Sequence, residues 1–159
     1  MGEKKIVERV GLIHVPALEE FNVGDFVIGE KIGHIGSSLT RHFLQVREDP
    51  TPNVIIAVDR LCRTANDSEI LDAIDDNFLL VEISLGQFFY CFFPYKKVEE
   101  DEKIIMGSHV PAIIGYVFGR DDLFTIRGRF DNGWDFETHP FDNPTKWSPG
   151  CLILTPSIE

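Results

Sequence analysis

The stretch that most constrains the fold is Phe78–Phe93, which reads FLLVEISLGQFFYCFF and contains one acid and no base. Apolar and polar residues alternate at the end of its first half: Val81 and Ile83 would face one side and Glu82 the other. This period of two predicts a strand. Phe88–Phe93 is apolar on both faces and rich in aromatic residues, which predicts a second strand buried on both sides.

A hairpin turn is expected between these two strands at Leu85-Gly86, because glycine supplies the positive φ that tight turns often need. Pro94 would then end the pairing. The competing interpretation is a transmembrane helix. Sixteen residues interrupted by Gly, Glu and Ser fall short of the roughly 20 apolar residues that a bilayer requires. We therefore expect the run to form the core of a sheet and expect no membrane association.

The rest of the chain predicts a mainly β fold of the α+β type: an antiparallel sheet, arranged as a sandwich or half-barrel, with one or two short helices packed on it. Short apolar runs recur between turn residues, without βαβ alternation. The further predicted strands are Lys4–Val15, Phe21–Ile28, His42–Glu48, Val54–Val58, Lys103–Met106, Val110–Phe118, Leu123–Arg129 and Cys151–Leu154. A helix starting at Ser37 or Ser38 competes with the strand at His42–Glu48. With 159 residues and no linker or repeat, residues 1–159 are expected to form a single domain.

The clearest helix prediction is Asn66–Asp76. Asn66 can accept a hydrogen bond from the amide of Glu69, and Glu69 stands where a capping box places its acid. The apolar stripe would be Ile70, Leu71 and Ile74, and the other face would carry Glu69, Asp72, Asp75 and Asp76. Like charges at these spacings cost a few tenths of a kcal/mol per pair, so local stability does not explain the acidic face. That face is either simply solvated or docks a cationic surface.

The net charge is −11, with 26 acids and 15 bases. This balance argues against a nucleic-acid binder, which normally carries a basic surface. It favours a basic protein partner, although solubility alone also explains an acidic chain. Two intervals hold acids but neither Lys nor Arg: the one between Arg63 and Lys96, and the one between Arg129 and Lys146.

The second interval includes most of Phe130–Trp147, where aromatic residues alternate with acids over a stretch of little periodicity. A long segment of this kind is often functional. Its aromatic residues either anchor a partner, with Trp134 as the first candidate, or pack the segment onto the sheet. Asp135 and Glu137 would point to the same side if this segment is extended.

Motifs for catalysis, metal or cofactor binding are weak, and none is assigned. No histidine pair has metal-ligand spacing, and no two cysteines are close in sequence. The glycines of Gly29–Gly36 match no phosphate-binding pattern and predict a bulged turn. His34 and His42 flank Ser37 and Ser38, which keeps a Ser-His-Asp hydrolase open as an alternative.

Cysteine usage indicates a reducing compartment. Cys91 and Cys151 lie in apolar runs and are expected to be buried free thiols. The N-terminus has no apolar segment typical of a secretory signal. Together these features predict a cytoplasmic protein.

The leading functional hypothesis is a non-catalytic cytoplasmic protein that neutralises a basic protein partner through an acidic, aromatic-bearing surface. Its most concrete form is an antitoxin or immunity protein against a nuclease-type toxin. The residues predicted to bind the partner are Glu69, Asp72, Asp75, Asp76, Asp131, Trp134, Asp135 and Glu137. The alternatives are a small-ligand-binding β-barrel or hydrolase-like enzyme, and a structural or assembly subunit.

Overall fold

In a computed structural model, residues 6–22, 34–35, 47–74, 82–92, 111–119, 122–130, 134–141 and 146–157 are described. The predicted mainly β fold is confirmed. The strands are β1 (Val7–Val15), β2 (Phe21–Asn22), β3 (His34–Ile35), β4 (Arg47–Glu48), β5 (Val54–Leu61), β6 (Ile113–Gly119), β7 (Asp122–Phe130), β8 (Trp134–Pro140) and β9 (Leu152–Pro156). The helices among these residues are α1 (Asp67–Ile74) and α2 (Leu85–Phe92).

One open, mixed sheet organises the described residues, in the strand order β1-β5-β9-β6-β7-β8-β3. Most neighbours are antiparallel, but β6 runs parallel to β9, and the two-residue strand β3 runs parallel to β8. A second sheet consists of β2 and β4 only, and we call it the β2–β4 ribbon. The register of β1 shifts between Arg9 and Gly11, which marks a bulge.

The two helices cover opposite faces of the large sheet. α2 contributes Leu85, Phe88 and Phe89 to one buried cluster, together with alternate residues of β1, β5, β6 and β9. α1 contributes Ile70 and Leu71 to a second cluster, which includes residues of β5, β6 and β9 that point to the other face. Because successive strand side chains point to opposite faces, both faces of the central strands are buried.

The predicted strand at Phe88–Phe93 and the predicted turn at Leu85-Gly86 are wrong, because Leu85–Phe92 forms helix α2. Ser84 and Gln87 form a capping box: the Gln87 amide donates to Ser84 Oγ over 3.0 Å, and the Ser84 amide donates to Gln87 Oε1 over 2.9 Å. A short apolar run is typical of both a buried strand and a buried helix. Here the capping residues Ser84 and Gln87 distinguish the helix from the strand.

The sequence pattern also missed strand β8, which occupies part of the aperiodic stretch. Its register with β7 pairs Glu137 with Arg127 and Asp135 with Arg129. Phe136 is fully buried in the α2-side core, and Trp147 is buried in the α1-side core. Phe136 and Trp147 therefore pack this stretch onto the sheet. The side chain of Trp134 lies outside what the structure describes.

Most other predicted strands are confirmed, within a few residues at their ends: those at β1, β5, β6, β7 and β9. Of Phe21–Ile28 and His42–Glu48, the described parts are the two strands of the ribbon. Residues 75–81 and 93–110, which include the predicted strand at Lys103–Met106, lie outside the described residues, as do most of Gly29–Gly36 and all of residues 37–46.

All three cysteines are free, with Cys91 and Cys151 buried as predicted and Cys62 exposed. Burial raises the pKa of the Cys151 thiol, and this outweighs hydrogen bonds that involve Ser148 and Ala112. Of the helices in the described part of the chain, none combines the length and apolar character needed to span a bilayer.

At Gly115 on β6 the side chain of Phe88 on α2 lies close to the sheet backbone. A Cβ atom there would lie 2.7 Å from Cδ1 of Phe88, whose ring is fully buried. We predict that Gly115→Ala lowers the free energy of unfolding by about 1–3 kcal/mol, because the ring has no space into which to move. Urea denaturation measures this loss.

Gly86→Ala is the matched control, because its added Cβ would lie 3.2 Å from the ring of Phe21, which is only half-buried. Alanine also favours the helix by up to about 1 kcal/mol, so this variant should unfold close to the wild type. Equal losses in the two variants would contradict the proposed contact between Gly115 and Phe88.

Candidate functional site

The N-terminus of α1 has the predicted capping box. The Glu69 amide donates to Asn66 Oδ1 over 2.9 Å, and the Asn66 amide donates to Glu69 Oε1 over 3.1 Å. Glu69 also lies 3.6 Å from Nη2 of Arg63, with both side chains partly exposed. Glu69 therefore caps the helix as predicted, and its proximity to Arg63 makes it less available to a partner than the predicted acidic face implied.

The buried and exposed faces of α1 are clearly separated. Ile70 and Leu71 are fully buried, whereas Asp72 and Ala73 are exposed. Among the described residues, no lysine or arginine forms an ion pair with Asp72, and the last turn of α1 contains no basic residue. Asp75 and Asp76 lie outside the described residues. Asp72 is thus the described acid of this face that presents its charge to solvent.

A depression open to solvent lies beside this face. It is lined by Ala73 of α1, by Ile6, and by Val7, Glu8 and Arg9 at the start of β1. Ile6 and Val7 are half-buried, and they pack against the α1-side core. Apolar surface at the centre with charged groups around it is the usual composition of a protein interface. We call the exposed residues of α1 and this depression the α1 surface.

A buried carboxylate fixes α1 on the sheet. Asp67 is 1% exposed and accepts three hydrogen bonds: from Tyr116 Oη over 3.2 Å, from Thr125 Oγ1 over 3.0 Å, and from Trp147 Nε1 over 2.9 Å. Burial raises the pKa of Tyr116 well above its usual 10.0, and the charge of Asp67 and their hydrogen bond raise it further. The hydroxyl of Tyr116 therefore stays a donor to this carboxylate.

The acids of β8 lie beside the chain's own arginines. Arg127 Nη2 lies 3.3 Å from Asp135 Oδ2 and 3.2 Å from Glu137 Oε2, and Arg129 lies 3.7 Å from Asp135. Asp135 and Glu137 do face the same side, as predicted. We call these four residues the β7–β8 ladder. Its charges balance, so its acids are much less available to a basic partner than the sequence pattern suggested.

The sequence contained the signal for this ladder. Arg127 and Arg129 alternate in the strand just before the base-free interval, and an antiparallel partner brings them opposite Asp135 and Glu137. The signal was missed because the interval was treated as a loop. The ladder and α1 lie on the same face of the sheet, since Thr125, two residues from Arg127, bonds Asp67.

Arginines throughout the described residues pair with carboxylates in this way. The pairs are Arg9 with Asp59, Arg47 with Glu20, Arg60 with Glu8, Arg63 with Glu69, Arg127 with Asp135 and Glu137, and Arg129 with Asp135. Solvent-exposed pairs of this kind stabilise a fold by only about 0–1 kcal/mol. Their effect here is to cancel much of the negative surface that the composition implies.

The structure describes few of the residues that remain from the predicted partner-binding site and from the hydrolase alternative. Asp131 lies outside the described residues, and so do Ser37, Ser38 and His42. Of His34 only the backbone position in β3 is described. Within the described ranges, no group of three or more His, Cys, Asp or Glu side chains is arranged to hold a metal ion.

Removal of the Asp67 carboxylate should loosen α1 from the sheet. We predict that Asp67→Ala lowers the free energy of unfolding by about 3–5 kcal/mol, because three buried donors then have no acceptor. Asp67→Asn keeps Oδ1 as an acceptor for Tyr116 and Trp147, so its free energy of unfolding should fall clearly less than that of Asp67→Ala. Guanidinium denaturation of the two variants measures the difference. Stability equal to the wild type in both would contradict the assigned role of Asp67.

Comparison with known proteins supplies no relative for this chain. No protein-family model, no curated protein and no solved structure matches it. The function of the chain is therefore inferred from its own residues and their geometry.

Proposed function

We propose that this chain is a non-catalytic binding protein that neutralises a basic protein partner, in its most concrete form as an antitoxin or immunity protein against a nuclease-type toxin. It acts in the cytoplasm, a compartment that fits three free cysteines. The observation that carries the proposal is the α1 surface, where Asp72 is exposed and its neighbour in α1, Ala73, lines a depression together with half-buried Ile6 and Val7.

The net charge of −11 supports a basic partner. A field of this sign speeds the encounter with a cationic protein by about 10–10³-fold at low salt. The arginines of the described residues already pair with carboxylates, whereas Asp72 has no ion pair among these residues and lies next to the depression-lining Ala73, so it is the proposed binding point for a partner's Lys or Arg. The predicted site is therefore narrowed from two acidic intervals to the α1 surface.

The acids assigned to this surface are Asp72 together with Asp75 and Asp76, whose structure is not described. Glu69 belongs to it only as a neighbour, because its carboxylate caps the helix and pairs with Arg63. Asp135 and Glu137 take a secondary part, since a partner would first have to displace Arg127 or Arg129. Trp134 remains a proposed anchor.

Charge reversal of the α1 surface tests the proposal. The tagged chain is used to capture proteins from a lysate of the cells that produce it, and a captured basic protein is then purified and titrated against each variant. We predict that the triple variant Asp72→Lys, Asp75→Lys, Asp76→Lys weakens its binding by about 100-fold or more, because each lost charge pair at an interface is worth about 1–2 kcal/mol.

The control reverses Glu19 and Asp49, two exposed acids outside α1, and is compared with the double variant Asp72→Lys, Asp75→Lys, which changes the net charge by the same amount. Circular dichroism confirms that each variant is folded. The proposal predicts that binding falls steeply with salt and survives in the control. A captured partner without excess positive charge, or equal loss in both variants, would contradict it. Self-association of the chain without any partner would instead support the assembly-subunit alternative.

A further inference from the structure

β1 forms one edge of the large sheet, and no strand of the described residues pairs with its outer side. It stands first in the strand order and pairs with β5. The strand is long for an edge, with nine residues over Val7–Val15. A sheet edge of this kind presents N–H and C=O groups to which an extended chain can add as a further strand.

The hydrogen bonds of the sheet show which backbone groups of β1 face outward. The Cys62 amide donates to the Ile6 carbonyl oxygen over 2.7 Å, so the polar groups of Ile6 face β5. This direction alternates along an antiparallel strand. The N–H and C=O groups of Val7 and Arg9 therefore face away from β5, whereas those of Glu8 face it.

Beyond the bulge, Leu12 is the next residue that faces outward. The Ser157 amide donates to the Ile55 carbonyl oxygen over 2.8 Å, so Ile55 faces β9 and the residue after it faces β1. That residue pairs with Ile13, so Ile13 faces β5 and Leu12 faces away from it. The outward-facing residues are thus two positions apart before the bulge and three positions apart across it. A regular strand can therefore pair with β1 on only one side of the bulge.

The depression of the α1 surface lies along the part of β1 before the bulge. It is lined by Val7, Glu8 and Arg9, and Val7 packs against the α1-side core. Since successive side chains of a strand alternate, Glu8 points to the opposite face. A depression that touches residues of both faces reaches the edge of the sheet. Ala73 of α1 lines it as well, so β1 and α1 form two sides of one groove.

We propose that an extended segment of the partner, containing Lys or Arg, adds to β1 as a further strand and pairs with Val7 and Arg9 in this groove. This inference rests on the proposed function. The charge of the segment follows from the exposed Asp72, next to Ala73, and from the net charge of −11. In antiparallel pairing, three residues of the segment satisfy the outward N–H and C=O groups of both β1 residues.

The pairing also determines where the segment carries its charge. Partner residues opposite Val7 and Arg9 point to the α1 face, and the residue between them points to the face of Glu8. A basic residue opposite Val7 is directed to the face of the sheet that carries Asp72, whereas one opposite Arg9 meets a like charge. The middle position lies opposite Glu8 and favours a base, although Arg60 already pairs with Glu8.

Amide hydrogen exchange, measured by NMR on the full chain, tests this edge directly. In the free chain we predict fast exchange at Val7 and Arg9, whose amides face solvent, and slow exchange at Glu8, whose amide faces β5. The probe is a short synthetic peptide in which lysine and valine alternate. At about nine-tenths saturation it should slow exchange at Val7 and Arg9 about tenfold, because only the unbound fraction exchanges. Leu12, beyond the bulge, should keep its rate.

Proline substitution blocks the edge without breaking the ladder between β1 and β5. The N–H of Val7 faces outward, and proline is tolerated at such positions of an edge strand. Val7→Pro should weaken peptide binding about tenfold or more, through the lost donor and the bulk of the ring. Leu12→Pro is the matched control, because it makes the same change on the same edge beyond the bulge, and it should bind the peptide like the wild type. Circular dichroism confirms that both variants are folded.

Two further peptides separate strand addition from simple attraction of charge. A peptide with glutamate in place of lysine, and one with proline in place of valine, should leave the exchange of Val7 and Arg9 unchanged. Protection by either peptide equal to that by the lysine–valine peptide would overturn the inference. The wild-type exchange data decide this even where a proline variant does not fold.

Other results would overturn the inference by naming a different occupant of the edge. Slow exchange at Val7 and Arg9 in the dilute free chain would mean that the chain covers the edge itself. Protection that grows with the concentration of the chain would make a second copy the occupant.

Failure of the inference and failure of the proposed function are distinguishable. If the captured basic partner binds and leaves these two amides unprotected, strand addition is wrong and the neutralising function stands. If no basic partner is captured, the proposed function fails, and the peptides still decide whether the edge binds a basic strand.

Discussion

The buried carboxylate of Asp67 is the interaction on which the arrangement of this protein depends. It opens α1 and accepts hydrogen bonds from β6, from β7 and from the segment before β9. A buried carboxylate without such donors would cost several kcal/mol, so its hydroxyl and indole partners are needed for it to remain in the core. Asp67 therefore places the exposed face of α1 at a fixed position on the sheet.

Charge pairing determines how much of the acidic composition is available at the surface. A net charge of −11 suggests a broadly negative molecule, yet the arginines of β1, β5, β7 and the ribbon each lie against a carboxylate. What remains is local. The α1 surface presents Asp72, an acid without a described counter-ion, and Glu48 accepts hydrogen bonds from the first amides of α2.

Sequence reasoning succeeded where a local signal was specific. The Asn66–Glu69 capping box and the apolar stripe after it were sufficient to predict α1, and five of the longer strands followed from short apolar runs between turn residues. It failed at Leu85–Phe92, because a short, strongly apolar run is typical of a buried strand as well as of a buried helix. The equivalent capping signal of Ser84 and Gln87 was available there but was outweighed by the aromatic content.

The candidate site could be predicted only in part, since pairing depends on register. Asp135 and Glu137 were placed correctly on one side of an extended segment. The alternation of Arg127 and Arg129 is visible in the sequence, but which acids lie opposite them depends on the register of β7 with β8. The three donors to Asp67 come from residues 49 to 80 positions away in the chain, and no local pattern connects them.

The central claim is that the α1 surface presents unpaired negative charge to a basic partner. NMR titration of the isotope-labelled chain with the captured partner tests this most directly, because it maps contacts without altering any residue. The account predicts chemical-shift changes on the exposed side of α1 and along Ile6–Arg9, which vanish at about 0.5 M salt as charges are screened. Changes centred on the β7–β8 ladder, or changes that persist at that salt concentration, would contradict it.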